Sequence, residues 1–157
     1  MVIENQKIQL VNLSYFKDSQ KVHFTNCVID TIDLVAVSEL NVQLTFEKCV
    51  ITNLKIHSCW FTQGLSLLNS VIVNYIDYQM GGHNALPISL EGNVFNEFFN
   101  FFDCHFDNAV SVRNNVFKKG TNLLGNQSEG FANVFSDDLV VENNVGSVNV
   151  DGDTGIS

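Results

Sequence analysis

The side chains of this chain that could do chemistry are four histidines, four cysteines, one tryptophan and scattered carboxylates. A metal centre needs three or four suitable donors converging on one point. His23, His57, His83 and His105 are expected on different sides or coils of the repeat described below, so no three of them meet. Asp103 and Asp107 flank His105. No acidic column persists along the chain, however, as the paired carboxylates of a glycosidase or the oxygen ligands of a calcium-dependent lyase would require. The glycine-rich segments lack a phosphate-loop pattern. Cys27, Cys49, Cys59 and Cys104 show no C-x-x-C spacing and read as small buried thiols of a reducing compartment. This set predicts no catalytic residue, no cofactor and no metal, and an enzyme is not expected.

The elements that must carry these residues follow from a short repeat. Between positions 44 and 72, two inward residues separated by one outward residue recur every five or six positions. The pairs are Leu44/Phe46, Cys49/Ile51, Leu54/Ile56, Cys59/Phe61, Leu65/Leu67 and Ser70/Ile72. Each pair is a minimal strand with both side chains on one face, and five-to-six spacing fits no helical face. A longer cycle overlies this one. Its opening pairs are Val22/Phe24, Leu44/Phe46, Leu65/Leu67, Ile88/Leu90, Val110/Val112 and Leu139/Val141, with first members 22, 21, 23, 22 and 29 residues apart. Strands this short bury no core alone, but stacking one cycle on the next gives each a parallel neighbour and builds continuous apolar columns. The predicted fold is therefore all-β, a parallel β-helix or solenoid of about six coils with about 22 residues per coil. It forms a single domain over residues 1–157: 1–20 as an N-terminal cap, 22–150 as the coils and 151–157 as a frayed polar tail.

The small positions refine this picture. Pairs one and three open with bulky residues, while pairs two and four open with Cys, Ser or Asn, giving each coil two wide and two pinched sides. Asn93, Asn115 and Asn144 fall in one column, where their amides could form a hydrogen-bonded ladder. The corner between pairs one and two is Asn26, Lys48, Asn69, Gly92, Asn114 and Asn143, the residue types that a left-handed turn selects.

The stretches FEKCVI and CVITNLKIHSCWFTQ resemble the pentapeptide-repeat family over residues 22 to about 117. That resemblance implies a right-handed, four-sided β-helix, and the bias of parallel crossovers favours the same hand. The family's Asp or Asn just before the central residue is absent here. EGNVF and RNNVF also resemble the Asn-ladder turns of pectate-lyase-like parallel β-helices, so three-sided and four-sided coils both stay open.

Outward residues are where partners would be met. In the second pairs they are Val28, Val50, Val71, Val94, Val116 and Val145, six valines in one column, and in the third they begin Asp33, Lys55, Asp77 and Asn100. β-Branched residues favour stacked strands in any case, but threonine would serve that need and stay soluble. The column is therefore a candidate surface for dimerisation or a protein partner. A second candidate is a groove for a small ligand or sugar lined by Trp60, His83 and His105, beside two stretches that interrupt the cycle at 79–87 and 118–132.

The net charge of −9 excludes nucleic-acid phosphate as a ligand, and no apolar run reaches the length of a membrane span. The N-terminus shows no signal-peptide pattern, so a cytoplasmic protein is expected unless the chain is a fragment of a secreted one. The expected function is a non-enzymatic solenoid scaffold or protein-interaction module, with a protein partner or a homodimer. The family resemblance implies one alternative, a DNA mimic that binds DNA gyrase; a carbohydrate-binding or carbohydrate-active β-helix is the other.

Overall fold

The structure, a computed structural model, describes residues 1–152; the last five residues of the expected tail lie outside the described residues. Its strands form four parallel sheets, so the coil has four faces. Face one stacks Val2–Glu4, Lys21–Thr25, Gln43–Glu47, Leu65–Leu68, Ile88–Glu91, Val110–Arg113 and Leu139–Glu142. Face two stacks Lys7–Val11, Val28–Asp33, Val50–Lys55, Val71–Ile72, Val94–Phe95 and Val116–Phe117, and a bridge from Val116 to Val145 extends it. Face three pairs Ile76–Asp77 with Phe99–Asn100, and face four pairs His105–Phe106 with Val134–Phe135. Register follows the repeat, with Leu44 opposite Val22 and Leu65, and Val110 opposite Ile88 and Leu139. From the rung at Val22 to that at Leu139 the chain makes five turns. Residues 2–11 add one more strand to faces one and two, and beyond them Tyr15 and Phe16, in a 3-10 turn, pack near Phe24.

The core is a set of vertical columns. Phe24 stacks on Phe46 with ring centroids 4.9 Å apart, Phe95 on Phe117 at 4.9 Å and Phe106 on Phe135 at 5.1 Å. Each stack buries aromatic area and adds favourable ring contact to it. The corner between faces one and two is left-handed at every rung: Asn26, Lys48, Asn69, Gly92, Asn114 and Asn143 all have φ between 50° and 69°. A second left-handed corner, between faces three and four, runs through Ala36, Ser58, Met80 and Asp103 at φ 52–58°. Both corners are held by backbone bonds to the next rung, such as Asn26 N–H to Glu47 O and Ser58 N–H to Gln79 O.

The expected amide ladder is present. The Asn93 N–H donates to Asn115 Oδ1 at 2.9 Å, and the Asn115 N–H to Asn144 Oδ1 at 3.0 Å. Their Nδ2 groups donate back to Leu67 O and Leu90 O at 2.8 and 2.9 Å. Ser70 continues the column, its hydroxyl accepting from Cys49 N–H at 3.0 Å. Every member from Cys27 to Asn115 is fully buried, so these partners replace water that cannot reach the turn.

Two expectations need correction. Asn100 was expected to face outward on face three but is fully buried. Asn122 Nδ2 donates to Asn100 Oδ1, and Gly152 O accepts from Asn122 in turn, so the returning C-terminal segment roofs this part of the face. Residues 79–87 are not an inserted loop but face four of their own coil, with Gly82 bridged between Trp60 and His105. No inward Cys–Phe pair stands here. The buried Tyr78 ring fills the space, among Phe61, Phe101 and Phe106, and its hydroxyl accepts from Gly82 N–H at 3.0 Å.

All four cysteines are free and buried. Burial pushes the Cys59 thiol up to about 12 and raises those of Cys49 and Cys104; it also lifts the Tyr78 phenol well above its ordinary value. The folded chain thus keeps protons that the unfolded chain releases, so this stability is full below about pH 8.5 and declines above it. Each such group costs about 1.4 kcal/mol per pH unit until its folded value is reached. Urea unfolding at pH 7.5, 9 and 10 should show flat stability at first and a steep loss afterwards. Iodoacetamide at pH 8.5 should leave the folded thiols unmodified.

Candidate functional site

The register sets the six valines in one unbroken column on face two. Val28 pairs with Val50, Val50 with Val71, Val71 with Val94, Val94 with Val116, and Val116 bridges to Val145. The ends of the column are the more open, with Val28 47% and Val145 63% exposed; Val71, Val94 and Val116 are half-buried. On or just beyond the strands of this face stand Lys7, Lys55, Lys118 and Lys119, against Asp30, Asp33 and Glu97. Face two is thus nearly charge-balanced in a chain of net charge −9.

Face four differs in both chemistry and charge. It brings Trp60, His83 and His105 together, one from each of three successive coils. The Trp60 and His83 ring centroids are 4.4 Å apart, and His83 stacks on His105 at 5.4 Å with planes 7° from parallel. Asp107 serves both imidazoles, with Oδ2 3.3 Å from His83 Nδ1 and Oδ1 3.4 Å from His105 Nε2. His83 and His105 thus come from successive coils of one face, aligned because Gly82 sets residues 79–87 against the rungs on either side. Trp60 Nε1 donates to Met80 O at 3.3 Å, which fixes the indole along the face. Exposed Met80 and Val134 extend the stripe, and Phe102 stacks on exposed Phe131 at 4.7 Å beside it. Residues 36–42, 58–64, 80–87, 103–109 and 132–138 carry Glu39, Asp103, Asp107, Asp137 and Asp138 but no Lys or Arg.

A further pair escaped the sequence reading. His57 Nδ1 lies 3.0 Å from Asp77 Oδ2 on face three, where Lys55, Tyr75 and Val35 complete a shallow cleft of about 260 Å³. These residues are one coil apart, and only the established register shows that they touch. Another cleft, about 380 Å³, is lined by Gln20, Asn41, Gln43 and Gln63 with Lys21 and Leu86. Among the described residues no group of three His, Cys, Asp or Glu could hold a metal ion, and no helix is long and apolar enough to cross a membrane. The carboxylates of face one form no continuous row. Leu68 separates Glu47 from Glu91, and Arg113, 3.5 Å from Glu142, follows Glu91. The two Asn-x-Ser sequons, at Asn12 and Asn126, differ in access, Asn12 being half-buried and Asn126 buried. Asn12 caps the 3-10 turn through Ser14 N–H, and Asn126 is buried with Gly152 N–H on its Oδ1.

Fold and surface together define a four-faced parallel β-solenoid whose faces differ in polarity and charge. No family model, no curated protein and no solved structure matches this chain.

Proposed function

We propose that this chain is a non-enzymatic solenoid module that pairs with a second copy of itself through face two. The observation that carries the reading is the valine column, aliphatic at all six rungs where strand propensity alone would accept threonine. The occupant follows from charge. A protein of net charge −9 repels its own copy, and face two is where two copies can meet without adding to that repulsion. A two-fold axis across the column turns the rungs end for end. Asp30 then lies near Lys118 of the other copy, twice per interface, and valines meet valines between them. The resemblance to pentapeptide repeats, most of which carry no catalytic site, supports a scaffold role.

Light scattering is the test. Wild type should have the mass of a dimer, and Val71→Lys with Val94→Lys should give a folded monomer. Asp30→Lys alone should weaken the dimer and Asp30→Lys with Lys118→Asp should restore it. A monomeric wild type would overturn the proposal.

A further inference from the structure

We propose that face four docks an arginine-rich segment of a protein partner along the Trp60–His83–His105 stripe. Three features of the face specify such an occupant. First, the stripe is aromatic: the two imidazoles stack on each other and the indole packs on His83 at 52°, so three rings span three rungs, flanked by exposed Met80, Phe131 and Val134. A planar guanidinium can pack against the open side of the indole or of the outer imidazole, which a hydrated ammonium does less well. Second, the stripe is rimmed by negative charge of one sign. Glu39 lies near its Trp60 end, Asp103 and Asp107 flank His105, and Asp137 and Asp138 lie on the next rung. A guanidinium stacked on a ring can then direct its N–H fork to a carboxylate. Third, cationic competitors are absent: none of the chain's eight Lys and Arg residues falls in this face. The complementarity is electrostatic as well as steric, so association should be fast and salt-sensitive. Face four is opposite face two, so docking here leaves the face-two pairing undisturbed and does not depend on it.

The probe is a fluorescein-labelled nona-arginine peptide, read by anisotropy at two salt concentrations, with nona-lysine beside it. Wild type should bind nona-arginine more tightly than nona-lysine. Trp60→Ala should weaken nona-arginine binding about tenfold, and Trp60→Phe should recover most of it. Asp107→Asn, Asp137→Asn and Asp138→Asn together should weaken binding more than the charge-matched set Asp33→Asn, Glu47→Gln and Glu91→Gln away from face four. Circular dichroism checks that each variant is folded. Equal losses in the two sets would reduce the interaction to net charge and overturn the proposal. So would indifference to Trp60, or a glycan array in which oligosaccharides bind through Trp60 while nona-arginine does not.

Discussion

Asn115→Ala should lower the unfolding free energy by about 4 kcal/mol, more than a buried residue of this size ordinarily contributes through packing. Asn115 Oδ1 accepts from both the backbone N–H and the Nδ2 of Asn93, while its own Nδ2 donates to Leu90 O and to Asn144 Oδ1. Alanine leaves the Asn93 N–H buried without its partner, at the desolvation cost of an unpaired polar group, removes the side-chain bond to the Leu90 carbonyl and opens a small cavity as well. Asn115→Leu separates these causes. It restores the volume but not the hydrogen bonds, and should be at least as damaging as alanine. Asn115→Ser should be milder, because Ser70 already serves the same column by accepting from Cys49 N–H and donating to Leu68 O. Urea midpoints at constant m-value would rank the variants. If leucine proves as stable as wild type, the ladder contributes only shape.

The legible parts of this fold are those where one residue type carries one physical demand. Inward pairs such as Leu44/Phe46 mark strands because only burial explains their spacing. The corner through Asn26, Asn69, Gly92 and Asn114 shows itself because Asn and Gly tolerate the left-handed region. The other left-handed corner is silent for the same reason in reverse. Ala36, Ser58, Met80 and Asp103 take φ of 52–58° without a residue type that announces it, and the rungs on either side hold them there through backbone bonds.

The surface was legible only in columns whose register the repeat itself supplies. The valines stand two residues from a left-handed corner at every rung, so their alignment follows from counting. Trp60, His83 and His105 could be grouped on one side, but their ring contacts and shared carboxylate could not be read. Tyr78 takes the place of an inward pair in the third coil, and no count carries through residues 79–87 without it. Asn100 was misplaced because what covers it, Asn122 and Gly152, lies tens of residues further along the chain. The charge contrast between faces two and four is likewise invisible along the chain, where Lys118 and Asp107 are close neighbours. It emerges once the four faces are separated.

Gly82→Ala tests the joint between core and stripe, and it should cost about 5 kcal/mol or more, close to abolishing the fold of the third coil. Gly82 has φ of +102°, beyond the region that Asn and Ala reach in the corners, and a methyl there would collide with the backbone carbonyl of His105 in the next rung. That obstacle is backbone, so relief requires moving a whole rung, and with it the His83–His105 stack. Gly81→Ala should be nearly as severe, because its methyl would enter the Tyr78 ring. Gly130→Ala supplies the control: φ is +76° there as well, but nothing lies within 4 Å, so only the local backbone cost of about 1 kcal/mol remains. In a chain of this size each kcal/mol moves the midpoint by about 2–4 °C, so Gly82→Ala should lose 10 °C or more where Gly130→Ala loses about 3 °C. Hydrogen exchange should locate the damage in the rungs on either side of Gly82, because each coil of a solenoid is stabilised by its nearest neighbours. Equal losses at positions 82 and 130 would mean that the rung spacing at Trp60, Gly82 and His105 is not what requires glycine.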